Sequence, residues 1–437
     1  MRKLGVLASL ALVACGGSGG IDLGDGGPDG AVTTTDGGQQ ADVVTQTDGG
    51  GGADGAVVDA GPYGAPSSTY PAFTPWMGQL SKNGGPILSA PVIVTITWDG
   101  DTGRTTFEPF GDQIGGSTYW SAIVSEYGVG AATSGTTNHV HVSSTPPTQW
   151  GDSDVKTFIN QNLGGLLPAP TSQTIYVFYI SNSTTFIFGN QNACNSIGGY
   201  HDSFTSTSNG VISYAVIPSC ASDSKTTQYA SHEIGEAATD PQPSNSPGLV
   251  GWDDPYLAFH EWQRGNDENG DACEFFADSF YTEQSPFAFQ VQRQWSNKMG
   301  ALGHSPCQPY TAPYFNVAPL GIGDITVDLS QEGGPANFTT KGFTCALSAT
   351  CQIPVGIYSD AATGPITVSV AESNPLVNPV TGRLTLSIDP QKTSGVNGEI
   401  TFVNVTVNQK GPLNAEMLTV ITTLGNTKHY LPLLVAN

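Results

Sequence analysis

The sequence predicts an α/β domain followed by an all-β sandwich of immunoglobulin-like type. Three observations carry this. A β-branched apolar run, Pro91 to Trp98, opens a stretch that mixes strand and helix signals. An Ala-rich segment free of internal proline, Ser224 to Asp240, follows two further strand-like runs. After Pro309 the pattern changes to short Thr- and Val-rich runs separated by turn residues, with no helical period.

The first residues precede any fold. Met1-Arg2-Lys3 supplies positive charge, and Leu4 to Ala14 is apolar but shorter than the roughly 20 residues a membrane-spanning helix needs. Leu12-Val13-Ala14-Cys15 resembles the lipobox of bacterial lipoproteins, which implies cleavage before Cys15 and lipidation of its thiol. Residues 1–15 are therefore read as a lipoprotein signal. The expected location is the cell envelope, outside the cytoplasm, with the membrane reached only through the lipid. From 16 to 69 the chain is rich in Gly and Asp, with repeated Asp-Gly steps. It lacks the apolar content for a core and is expected to be a disordered spacer.

The α/β domain is expected over 70–309. Its strands are Pro91 to Trp98, Thr174 to Ile180 and Val211 to Ile217. Helical spacing marks Tyr119 to Val124 and Asp154 to Ile159, with Ser153 as a cap for the second. The helix from Ser224 to Asp240 has Ser222 or Ser224 to cap it and Pro241 to stop it, and should pack across a mainly buried sheet. Over 310–437 the runs Ile325–Leu329, Ile366–Val370, Leu384–Ile388, Ile400–Val407 and Leu418–Thr422 fit a sandwich.

Charge and cysteines bound the partners. The net charge of −23 argues against nucleic acid or anionic lipid, both of which require a basic patch. Apart from Cys15 there are six cysteines, Cys194, Cys220, Cys273, Cys307, Cys345 and Cys351. An even number in an exported chain implies disulfides. Their connectivity is open among fifteen arrangements, and neighbour pairing closes the shortest loops.

The chemistry concentrates in Ser231-His232-Glu233-Ile234-Gly235-Glu236. On a helix His232 and Glu236 share one face, four residues apart, and can bite one metal ion. This is the spacing of the His-Glu-x-x-His zinc helix with a glutamate replacing the second histidine. Glu233 is placed to accept a proton from an attacking water. A carboxylate in place of a neutral imidazole reduces the positive charge the ion presents, so the site would be a slower hydrolase, favour a harder ion, or be only structural. A blander reading makes the helix itself structural, with Glu236 facing solvent and Ile234 and Ala238 packed on the sheet. Asp240 lies about 12 Å along the axis from His232 and is expected to shape the turn with Pro241. A third ligand should come from Glu268 to Cys273. Glu268 is favoured and Asp271 is second, while Asp267, Asn269 and Asp271 offer an alternative calcium reading. His201 could reach the same cleft or simply bond Asp202. His139, His141, His260, His304 and His429 show no ligand spacing.

Several blocks occur in order: Gly84-Gly85-Pro86-Ile87-Leu88, Gly199-Tyr200-His201, Ile212 to Ile217, the His232 helix through Asp240-Pro241, Gly251-Trp252, Glu268 to Cys273, and Gln294-Trp295-Ser296 with Cys307. Together they resemble the EXORDIUM, or phosphate-induced protein, family, over roughly 84–308 and none of the tail. Its bacterial members carry the His-Glu helix, which implies a zincin-like, metallopeptidase-related fold. Plant relatives generally lack the pair and are described as secreted wall proteins. The expectation is a metal-dependent hydrolase, with zinc at His232, Glu236 and Glu268 and a protein or peptide substrate. The alternative is a non-catalytic surface module that binds a cell-surface polymer.

Overall fold

The computed structural model describes residues 61–195, 197–220, 222–265, 268–376 and 381–437. The signal, Cys15, the spacer as far as Ala60, and Asp267 lie outside the described residues.

Five strands make the central sheet: β1 (Val92–Trp98), β2 (His139–Val142), β3 (Thr174–Ile180), β4 (Tyr200–Ser206) and β5 (Gly210–Pro218), in the order β2-β1-β3-β5-β4. The first four in that order are parallel, and β4 runs antiparallel along the β5 edge. Every residue of β3 and six of the seven of β1 are buried, as continuous apolar runs require of strands covered on both faces. Helices α1 (Arg104–Ile114), α2 (Thr118–Val124) and α4 (Asp223–Thr239) cover one face, where Ala230, Ile234, Ala237 and Ala238 meet Ile175, Val177, Ala215 and Ile217. Helix α3 (Asp152–Asn162) covers the other through Val155 and Ile159.

Two local expectations change. Helix α3 starts after Gly151, whose N–H donates to the Asp154 carboxylate at 2.9 Å, so Ser153 lies inside the helix and does not cap it. Helix α4 follows Ser222 in extended conformation, as expected, although the serine hydroxyl bonds the Ser224 hydroxyl and caps no backbone N–H.

The C-terminal part is a β-sandwich. One sheet orders Phe315–Pro319, Thr350–Ser359, Ile400–Val407 and Leu384–Ile388. The other orders Gly323–Val327, Phe338–Thr344, Thr427–Ala436, Ala415–Leu424, Ile366–Glu372 and Ser394–Gly395. Strict alternation of burial along Ile400–Val407 turns Val403 and Val405 inward, where they join Val420, Leu431 and Leu433 of the facing sheet.

The same core continues into the α/β part through Met77, Leu80, Trp252, Phe259 and Trp295. Trp262 packs against Tyr430 at 5.7 Å between ring centres, the rings tilted by 36°, and its carbonyl accepts from Asn374 Nδ2 at 2.8 Å. The last residues of the expected spacer also belong to this unit: Tyr63 donates to Asp389 at 2.7 Å, and Ser67 N–H to the Asn397 carbonyl at 2.8 Å.

Three disulfides join Cys194 to Cys220, Cys273 to Cys307 and Cys345 to Cys351, the neighbour pairing. They fit an oxidising, extracytoplasmic setting. Among the described residues no helix is long and apolar enough to cross a membrane.

Candidate metal centre

Helix α4 is buried along almost its whole length, because the sheet lies on one side and the strand Gln290–Gln292 on the other. His232 is 4 %, Glu233 4 % and Glu236 1 % exposed. The expectation that Glu236 could face solvent therefore fails, while Ile234 and Ala238 do pack on the sheet. One helical turn brings His232 Nε2 to 3.0 Å from Glu236 Oε2.

The second imidazole comes from the sheet edge. His201 on β4 stands opposite Ala215 on β5, and cross-strand partners share a face, so its ring points at α4. Its Nδ1 lies 3.4 Å from Glu233 Oε2 and 3.7 Å from Glu236 Oε2. Asp202, one residue on, faces the other way and pairs with Lys156 at 3.2 Å, so it is not the partner of His201. Gly199 permits this approach: a β-carbon there would sit 2.7 Å from Glu233 Cγ.

The loop after Gln263 brings Asp271 Oδ1 to 3.4 Å from His232 Nε2. Glu268, favoured as the third ligand of His232, instead places Oε1 3.4 Å from His201 Nε2, on the far side of that ring. Two groups have ligand atoms mutually within 4.8 Å: His232, Glu236 and Asp271; and His201, Glu233 and Glu236. Either could hold a metal ion. Asp240 is in neither; its carboxylate accepts from Gly248 N at 2.8 Å and Leu249 N at 3.4 Å, and its carbonyl faces His201 Nε2 at 3.1 Å.

Neutral amides that no motif flags hold these groups in place. Gln292 Oε1 accepts from His232 Nδ1 at 3.0 Å, while Gln292 Nε2 donates to the Gly270 carbonyl at 2.7 Å. Gln294 Nε2 donates to the Ser231 and His232 carbonyls at 3.0 and 3.1 Å, and its Oε1 accepts from Asn269 at 2.9 Å. Glu236 Oε1 accepts the backbone N–H groups of Gly270 and Asp271, both at 3.0 Å. The Cys273–Cys307 disulfide anchors the end of this loop.

The electrostatics express crowding. Burial pushes the Glu236 carboxyl up to about 8; His232 opposes this, and Asp271 and Glu268 add to it. Burial alone would lower both imidazoles. Instead Glu268, Glu233 and Glu236 hold His201, and Glu236, Glu233 and Asp271 hold His232, well above the usual histidine value. Burial, then the Glu268 charge, pushes Asp240 up to about 6. Among the described residues, the ion pairs of Glu233, Glu236, Glu268 and Asp271 are all with these two histidines. Glu268 Oε1 is buried with no hydrogen-bond partner.

No family model matches the sequence, and no curated protein matches it. Among solved structures, the titin I-band fragment I67–I69 aligns at TM-score 0.17 and 14% identity, covering 29% of this chain and 33% of its own. A family 123 glycoside hydrolase from Clostridium perfringens aligns at TM-score 0.18 and 8% identity, covering 28% of this chain and 27% of its own. The chain thus spans about a third or less of each, and neither likeness bears on the fold or the site.

Proposed function

We propose that the chain is an exported, lipid-anchored, metal-dependent hydrolase of zincin-like fold, allied to the EXORDIUM-like proteins and acting on protein or peptide substrates. The observation that carries this is a cluster of four carboxylates and two imidazoles, with His201, His232, Glu233 and Glu236 buried and no lysine or arginine paired to it among the described residues. Uncompensated charge of one sign is expensive inside a protein, and a bound cation removes the expense.

His232, Glu236 and Asp271 would hold the ion, and the mixture of imidazole and carboxylate suits zinc. A divalent ion there would supply Lewis acidity toward a substrate carbonyl and toward water. Gln292 keeps the His232 Nε2 lone pair turned inward. Glu233, one step round the helix from His232, would accept the proton of the attacking water. Glu236, as a carboxylate, lowers the net charge of the centre and predicts slow turnover.

A surface-binding role is favoured by one fact: Glu268 and Asp271 are the most open of the four carboxylates, at 26% and 14% side-chain exposure. The deciding comparison is Glu233→Gln against wild type on an unfolded protein substrate. Hydrolysis should fall at least about 100-fold with the fold intact. Turnover indifferent both to the substitution and to chelator would end the hydrolase reading.

A further inference from the structure

We propose that the site holds two divalent cations bridged by Glu236. This rests on the metal-dependent reading above and changes the role that reading gives Glu233.

Each imidazole already has one ring nitrogen committed. His232 Nδ1 donates to Gln292 Oε1 at 3.0 Å, and the orientation of that amide is fixed because its Nε2 donates to the Gly270 carbonyl at 2.7 Å. His201 Nε2 donates to the Asp240 backbone carbonyl at 3.1 Å, an atom that can only accept. The remaining nitrogens, His232 Nε2 and His201 Nδ1, are the ones left to bind a cation. Both face the same oxygen, Glu236 Oε2, at 3.0 and 3.7 Å. A cation in each gap turns both contacts into ligand pairs.

The donors divide accordingly. His232, Glu236 and Asp271 form one group and His201, Glu233 and Glu236 the other, and neither group contains both imidazoles. Glu233 spans them as well, with Oε2 3.4 Å from His201 Nδ1 and Oε1 3.9 Å from His232 Nε2. Charge points the same way. Glu233, Glu236, Glu268 and Asp271 carry four formal negative charges, which two divalent ions match and one leaves half uncompensated.

With both its oxygens engaged, Glu233 is a ligand and not a free base. The proton-accepting role passes to Glu268, whose buried Oε1 has no hydrogen-bond donor and whose side chain reaches solvent.

The test is the zinc content of the full chain, stripped with chelator, reloaded with Zn²⁺ and desalted, for wild type, His201→Ala and Glu233→Gln. The expected result is two ions per chain in wild type and one in each variant. His201→Asn replaces the alanine if that substitution disturbs the edge strand. Two ions in all three proteins overturn the assignment of the second ion to His201 and Glu233; one in all three overturns the inference and leaves the single-ion reading standing. No ion in wild type overturns both.

Discussion

Gln292 and His232 are joined by a single hydrogen bond of 3.0 Å, and that bond decides which imidazole nitrogen faces the carboxylates. Gln292→Met keeps the volume and removes both the acceptor for His232 and the donor for the Gly270 carbonyl. Partners of this kind typically contribute about 10–100-fold to metal affinity. Zn²⁺ affinity, measured by competition with a chromophoric chelator, should weaken by that factor; unchanged affinity would remove Gln292 from the account.

Gly270 approaches the helix so closely that a β-carbon would lie 2.7 Å from Glu236 Oε1 and 2.9 Å from His232 Nδ1. Its φ of −76° is open to alanine, so Gly270→Ala tests crowding without backbone strain. The loop must retreat, taking with it two N–H donors to Glu236. Metal binding should be lost while the far-ultraviolet circular dichroism stays native. Retained stoichiometric metal would show that the loop does not close the site.

Trp262 lies at the junction of the two halves, 1% exposed against Tyr430 and Phe276. A continuous core predicts one cooperative unfolding transition for the α/β part and the sandwich together. Trp262→Ala should lower stability by about 3–5 kcal/mol and shift that single transition. Two separate transitions in calorimetry of the wild type would contradict a shared core.

His429 is buried among Tyr314, Phe315 and Tyr310, and burial lowers its pKa to about 3. Below about pH 6.5 the unfolded chain binds a proton that the native state refuses, so stability falls as pH drops toward 3, by at most about 1.4 kcal/mol per pH unit. Glu416, pushed up to about 7 chiefly by burial, acts in the opposite sense between about pH 7 and 4.5. The difference between wild type and His429→Phe isolates the histidine. Urea melts at pH 7, 5 and 4 should show the variant gaining progressively on the wild type, and a constant gap would refute the assignment.

Much of this architecture is legible in the sequence where one physical signal dominates. The strands Val92–Trp98 and Thr174–Ile180 are apolar runs that only a doubly covered sheet accommodates. The His232 helix is marked by its composition and by Pro241. Helix Arg104–Ile114 was hidden because Pro109 lies within it. The edge strand Tyr200–Ser206 reads as polar, yet it buries His201 and Ser203 on one face. In the site, the pairing of His232 with Glu236 follows from helical periodicity alone. Which acid faces His232 depends on the path of the loop after Gln263, which spacing does not encode. Gln292 and Gln294 act through ordinary amide hydrogen bonds and leave no motif.

The central claim is that the buried imidazoles and carboxylates form a cation site organised on Glu236. The most direct measurement is the divalent metal content of the purified full chain, wild type beside Glu236→Ala. The account predicts stoichiometric metal in the wild type and none in the variant. A metal-free wild type, or equal content in the two proteins, would contradict it.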